Sequence, residues 1–314
     1  MTSVRIDGES SSWPPLPYEE WKDTQSTLHL WTQMVGKIRL VQTQWTNHSW
    51  HVPLYVTARG LTTSPIPYGS RTFEIAFDFL DHQLRVQTGE GAVESLQLAP
   101  RTVADFYGEL FGRLKALGLD ISIRTVPNEI PDAIPFELDR EHGTYSAEHA
   151  GRFWQALVHA DRVLKSFRAR FVGKSSPVHF FWGGFDLAVT RFSGRPAPQH
   201  PGGVPNLPDW VAREAYSHEV SSCGFWPGGA AMPEPVFYAY AYPEPEGFKT
   251  ATLRPATARY DASLGEFLLP YDAVRRSSAP DATLLEFLQD SYEAAADRGA
   301  WDRSALERRG EESR

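Results

Sequence analysis

Cysteine is nearly absent from this 314-residue chain, and Cys223 is its single thiol. One thiol excludes a disulfide framework and a thiolate zinc cluster. No apolar run approaches the roughly 18 residues that a membrane-spanning helix needs, so no membrane partner is expected. The opening stretch MTSVRIDGESSSWPP lacks the apolar centre of a secretion signal, which points to the cytoplasm. Basic residues are also in short supply: 31 Lys plus Arg stand against 39 Asp plus Glu, a net charge of −8. Nucleic acids and anionic surfaces demand a basic face, so neither is an expected partner. No G-x-G-x-x-G follows a strand pattern, and Gly173-Lys174-Ser175-Ser176 lacks the upstream glycine of a phosphate loop. Nucleotide-binding folds of those two kinds are therefore unsupported.

What is present is apolar and aromatic, at 41% and 13% of residues. That supply rules out wholesale disorder and sustains a substantial core. Residues 1–12 read as a disordered lead and 303–314 as a solvated tail. Between them, two halves are expected, 13–145 and 146–302. Trp21, Leu28, Trp31 and Val35 predict a first helix stopping at Gly36, with a strand from Lys37. Strands are predicted at 51–59, 72–79, 83–88 and 119–126, with a hairpin turn at Leu80–His82. Thr102 and Asp105 have capping-box spacing ahead of a helix to Leu117. Residues 127–145, rich in proline and acids, read as a linker. A long helix is predicted at 146–171, then strands at 178–182, 185–192, 215–220 and 236–242, and a last helix at 281–297. Strands this closely spaced leave no room for parallel crossovers, so the expected class is α+β with mainly antiparallel sheets and packed helices. Because each half closes on a helix, a degenerate duplication of one sheet-plus-helix unit is a further expectation.

The most informative segment is Pro177–Phe192. Gly183-Gly184 between two apolar runs signals a tight hairpin. Pairing Trp182 with Phe185, Phe181 with Asp186 and His179 with Ala188 gives one apolar face. The other face then holds His179, Phe181, Asp186, Ala188 and Thr190. Alternation places Tyr216 with His218, Ser217 with Glu219, and Tyr238, Tyr240 and Tyr242 on one side of their strand. If the polar sides coincide, histidines, tyrosines and carboxylates line one aromatic pocket, the pattern of a small-molecule site. His179, Asp186, His218 and Glu219 are then the catalytic candidates. A carboxylate holding a histidine supplies an acid or base near neutral pH. Thr190, Arg191, Tyr216, Tyr238, Tyr240 and Arg59 are the ligand-binding candidates, the arginines through forks suited to carboxylates or phosphates. His48 and His51 form an H-x-x-H pair that, with a third ligand such as His179, His218 or Glu219, would hold a divalent metal as cofactor. Each of these residues also has a plain structural role open to it: a core histidine, a turn cap for Asp186, ordinary sheet tyrosines, locally paired arginines.

Several longer blocks resemble one known family. They are Trp13–Tyr18 (WPPLPY), Thr27–Trp31 (TLHLW), His51–Pro65 (HVPLYVTARGLTTSP), the Pro177–Arg195 hairpin, Glu214–Glu219 (EAYSHE) and Phe237–Glu244 (FYAYAYPE). Together they resemble a bacterial family of unknown function numbered 5996, over almost the whole chain. The resemblance implies a single soluble family unit and carries over no activity, cofactor or site residue. The residues themselves point to a small-molecule enzyme, whether hydrolase, lyase or isomerase. The alternatives are a non-catalytic ligand binder using the same pocket and a protein-interaction scaffold.

Overall fold

The computed structural model describes residues 13–308. Helix α1 (Tyr18–Gln42) opens the chain. A first antiparallel sheet follows, made of β1 (Tyr55–Val56), β2 (Gly60–Thr62), β3 (Ile66–Tyr68), β4 (Arg71–Asp78), β5 (Gln83–Thr88) and β6 (Val93–Gln97). Its order is β1-β2-β4-β5-β6, with β3 also paired to β4. Helix α2 (Val103–Ala116) packs beside β6, and its cap is the expected one: Thr102 accepts a hydrogen bond from the Asp105 amide at 3.1 Å. Helix α3 (Ala147–Arg168) leads to the second sheet. The latter is built from β7 (His179–Phe181), β8 (Asp186–Pro196), β9 (His218–Trp226), β10 (Val236–Tyr242), β11 (Arg259–Asp261) and β12 (Glu266–Pro270). It runs β11-β12-β10-β9-β8-β7, all antiparallel. Short α4 (Asp209–Ala215) lies between β8 and β9. After β12 come α5 (Tyr271–Arg275), α6 (Pro280–Arg298) and α7 (Arg303–Leu306). The class is α+β with two antiparallel six-stranded sheets. No described helix is long and apolar enough to cross a membrane.

The two faces of the second sheet differ in kind. One carries Phe180, Leu187, Val189, Phe225, Phe237 and Leu269, and α3 and α6 pack over it. Those side chains belong to a buried cluster that also takes in α1, α2 and the first sheet, so one core runs through both halves. The opposite face has its own smaller apolar layer of Ala188, Val236, Tyr238 and Leu268, flanked by Phe181, Trp226, Met232 and Tyr240. Among the described residues the sheets meet at an isolated bridge, where Leu54 and Phe180 exchange backbone hydrogen bonds of 2.9 Å.

Four local expectations are corrected. Lys37–Gln42 is helix, not strand, because Trp31, Met34, Val35 and Ile38 continue one buried helical stripe. Gly36 does not stop α1; it lets the Trp182 indole rest on the helix, where a Cβ would lie 2.2 Å from that ring. Residues 119–126 form no ladder, although Leu119 and Ile121 are buried. Residues 215–217 end α4 and turn, and β9 begins at His218. The stretch from Arg303, expected to be solvated, is docked as far as Arg308: Arg303 reaches Glu293, Asp297 and Glu307, and the Arg308 amide bonds Arg170 O at 2.9 Å. The expected lead at 1–12 and the tail beyond 308 lie outside the described residues.

Candidate functional site

The Pro177–Phe192 hairpin has the predicted register, with Phe181 opposite Asp186 and His179 opposite Ala188. Its connection spans Trp182–Phe185 rather than two glycines alone, and Phe185 takes a left-handed φ of 59°. His179, Phe181, Asp186, Ala188 and Thr190 consequently share the outer face. Gly224 lies between Ala188 and Tyr238 across the sheet, and Ser222 between Thr190 and Tyr240.

Asp186 is the centre of a polar group on that face. Its partner is not a histidine, as expected, but the Tyr238 hydroxyl, which donates to Oδ2. Glycine makes that reach feasible: a Cβ on Gly224 would lie 2.5 Å from the Tyr238 hydroxyl oxygen. Beside this pair, the Tyr216 and Tyr240 hydroxyls are 2.8 Å apart, and those of Thr190 and Ser222 are 2.9 Å apart. His200 stacks on Tyr216 at 4.6 Å between ring centroids.

Two carboxyl groups absent from the sequence reading join the cluster. Glu129 comes from the segment read as a linker and sits over the double glycine. A Cβ on Gly183 would lie 1.9 Å from Glu129 Oε1, and one on Gly184 would meet Asp186 Oδ1 at 2.9 Å and Glu129 Oε2 at 3.6 Å. Glu266, opposite Asp261 on β12, approaches from the far strands. Burial pushes Asp186 up to about 6, against the opposing Tyr238 hydrogen bond. Burial first and the Asp186 charge second push Glu129 and Glu266 each up to about 7. Burial also raises both Tyr238 and Tyr240 well above the ordinary phenol range.

The segment carrying Glu129 is tied down on both sides. The Asn128 amide donates to Gln33 Oε1 at 2.7 Å, and Gln33 Nε2 returns a bond to Asn128 O at 2.9 Å. The Lys37 ammonium donates to Asn128 Oδ1. Beyond it, the Glu129 amide donates to Pro205 O at 2.8 Å and Asn206 Nδ2 to Ile130 O at 2.6 Å. Glu129 is held at a φ of 63°, a left-handed conformation that side chains rarely adopt. The hairpin turn is fixed from the same helix, since His29 Nε2 donates to Gly183 O at 2.8 Å.

The remaining candidates lie elsewhere. His179 shares the outer face but is fully buried beneath Trp50, Tyr55 and Phe181, and neither ring nitrogen has a hydrogen-bond partner among the described residues. Burial, helped by Arg39 and Arg168, drives it down to about 3. His218 bonds Ser217 Oγ at 3.0 Å and lies near His48, beyond the Asp186 group. Glu219 falls on the inner face, where Arg195 and Ser193 hold it. Arg191 is also on the inner face, with its guanidinium among the Phe167, Phe171 and Tyr292 rings. Arg59 pairs with Asp78 and Asp81 beside the first sheet. Alternation separates these residues: Arg191 and Glu219 are out of phase with Asp186 and Tyr238.

The two histidines of the H-x-x-H pair make separate contacts. His48 Nδ1 donates to Ala215 O at 2.9 Å while Nε2 faces the Lys174 ammonium at 2.6 Å. His51 Nδ1 accepts from the Thr46 amide at 3.2 Å. Among the described residues no group of three His, Cys, Asp or Glu side chains is placed to hold a metal.

Comparison with known proteins agrees with this single-unit architecture. The model of one family, described as a family of unknown function (DUF5996), matches residues 13–308. The chain belongs to DUF5996. No curated protein and no solved structure matches it. The Asp186–Tyr238 group and the Glu129 segment both lie inside the DUF5996 region.

Proposed function

We propose that this DUF5996 protein is a cytoplasmic enzyme acting on a small molecule, with acid–base chemistry at the outer face of the second sheet. One observation carries the reading: Asp186, fixed by the Tyr238 hydroxyl, shares a Gly-Gly cradle with the Glu129 carboxyl. Two neighbouring carboxyls with different protonation are a way to have one base and one acid at the same pH. At pH 7 Asp186, at about 6, is mostly ionised and suits the base. Glu129, at about 7, keeps a proton on roughly half of the molecules and suits the acid. Tyr238 holds the Asp186 oxygen in place. Phe181, Trp226 and Tyr240 supply an apolar wall against which a substrate can rest.

Simple capture of an organic cation is the second reading, favoured by carboxylates set among aromatic rings. Both are tested by a thermal-shift screen of small neutral and cationic metabolites at pH 7, followed by product analysis of each hit. A hit whose shift disappears in Asp186→Asn, and which the wild type converts to product, supports the enzyme. A hit lost in Asp186→Asn but never converted supports capture alone. Hits that bind Asp186→Asn and Glu129→Gln as tightly as wild type overturn both.

A further inference from the structure

At the other end of the same face, away from Asp186, Lys174 meets His48. The His48 tautomer is fixed by its neighbours: Nδ1 faces a carbonyl oxygen, Ala215 O at 2.9 Å, and must carry the proton. Nε2 is therefore a free acceptor, and the Lys174 nitrogen lies 2.6 Å from it. The same nitrogen sits 4.6 Å from the centre of the Phe192 ring and 5.4 Å from that of Trp50. No carboxylate pairs with it among the described residues, in contrast to Lys22 with Glu19 and Lys165 with Asp161. The Lys174 residue is exposed, so a reagent can reach it, whereas His48 is buried.

From this geometry we propose that Lys174 is a nucleophilic amine that condenses with a small aldehyde or ketone, and that His48 takes up its proton. Nucleophilic lysines need to shed the ammonium proton near neutral pH, and an adjacent base with an apolar surround does that. Partial burial moves Lys174 in the required direction, below the ordinary lysine range. In the reaction the ammonium gives a proton to His48 Nε2, and the amine lone pair attacks the carbonyl carbon. A C–N bond forms as the C=O π bond opens, and the oxygen takes a proton from the attacking nitrogen to give a carbinolamine. His48 Nε2 then returns its proton to the hydroxyl, the nitrogen lone pair closes the C=N bond as the C–O bond breaks, and the oxygen leaves as water. Overall, an ammonium and a carbonyl yield a protonated imine and one water, with no oxidant or reductant. The Phe192 and Trp50 rings offer an apolar seat for the carbon chain of the carbonyl compound.

Propanal with sodium cyanoborohydride tests this on the intact protein at pH 7, because the hydride traps any imine as a stable secondary amine. Tryptic peptides read by mass spectrometry give the labelling rate at each lysine. Lys174 is expected to label about tenfold faster than exposed Lys22 and Lys249, as an amine activated by an adjacent base does. His48→Gln is expected to erase most of that advantage while the circular dichroism spectrum stays unchanged. Labelling of Lys174 no faster than Lys22 and Lys249 in the wild type overturns the proposal. A full advantage retained in folded His48→Gln removes histidine from it. The wild-type comparison stands alone should His48→Gln fail to fold.

Discussion

Glu129 is an acid placed where its charge is unwelcome. Its carboxyl presses on the Gly183 backbone, and no hydrogen-bond donor among the described residues reaches it. The folded protein holds the Glu129 proton up to about pH 7, whereas the unfolded chain releases it near the ordinary value of 4.5. Stability from this group is therefore full below 4.5 and is lost as pH rises through 7. Glu129→Gln keeps the shape and removes the charge. It is expected to raise unfolding free energy by at most about 1 kcal/mol at pH 8, because Glu129 is itself exposed and solvent screens its charge, and by a fraction of that at pH 5. Urea titrations of both proteins at the two pH values measure it; equal effects at pH 5 and pH 8 would contradict a proton-holding carboxyl. Legibility at this scale followed periodicity. Asp186, Thr190, Tyr238 and Tyr240 were placed together by alternation along two strands, which the backbone obeys. Glu129 lies in an aperiodic stretch between prolines, in a backbone conformation that composition does not announce. Nor does alternation reveal what covers a face, which is why His179 could be assigned to the outer side and not to its lid of Trp50 and Tyr55.

Among the elements, α1 organises the site without contributing a reacting group. Its apolar stripe joins the core, while His29, Gln33 and Lys37, at successive four-residue steps, form a polar seam. That seam grips the Gly183 turn and the Asn128 backbone, and so sets the hairpin and the Glu129 segment against each other. Reading Lys37 as the start of a strand hid the seam. A glycine and a short alternating stretch imitate a helix stop when the ring that fills the glycine notch, Trp182, is distant in sequence. The Asn128 side chain accepts from Lys37 and donates to Asn206 O at 3.1 Å. Asn128→Ala leaves the buried Lys37 ammonium without its acceptor, and the expected cost is about 2–3 kcal/mol. Urea unfolding at pH 7 checks the size. A loss under about 0.5 kcal/mol would mean that the seam is no clamp.

For the molecule as a whole, continuity of the core makes the titrating groups of both faces report on one unfolding event. His29, pushed down to about 4, and His179, to about 3, are neutral when folded. Their contribution is full above the ordinary histidine value of 6.5 and is lost as pH falls toward 4 and then 3. Asp186, Glu129 and Glu266 act in the opposite sense: their contribution is lost as pH rises through about 6 to 7. Salt-bridged Asp78 and Asp281, both held below the ordinary carboxylate range, add to the loss on the acid side. Lys37, at about 8, matters only above the range in question. Between about 4.5 and 6.5 the histidine and carboxyl slopes oppose each other, each proton being worth about 1.4 kcal/mol per pH unit. Three carboxyls outweigh two histidines in that window, so the urea midpoint is expected to be highest near pH 5, to decline through pH 8, and to be lower again below pH 4. His179→Leu fills the same buried space without a titrating group. It should hold the midpoint near pH 6.5 while moving the acid decline to lower pH. If wild-type stability instead climbs steadily to pH 8, the outer-face carboxyls are solvated, and the acid–base pair proposed at Asp186 and Glu129 loses its physical basis.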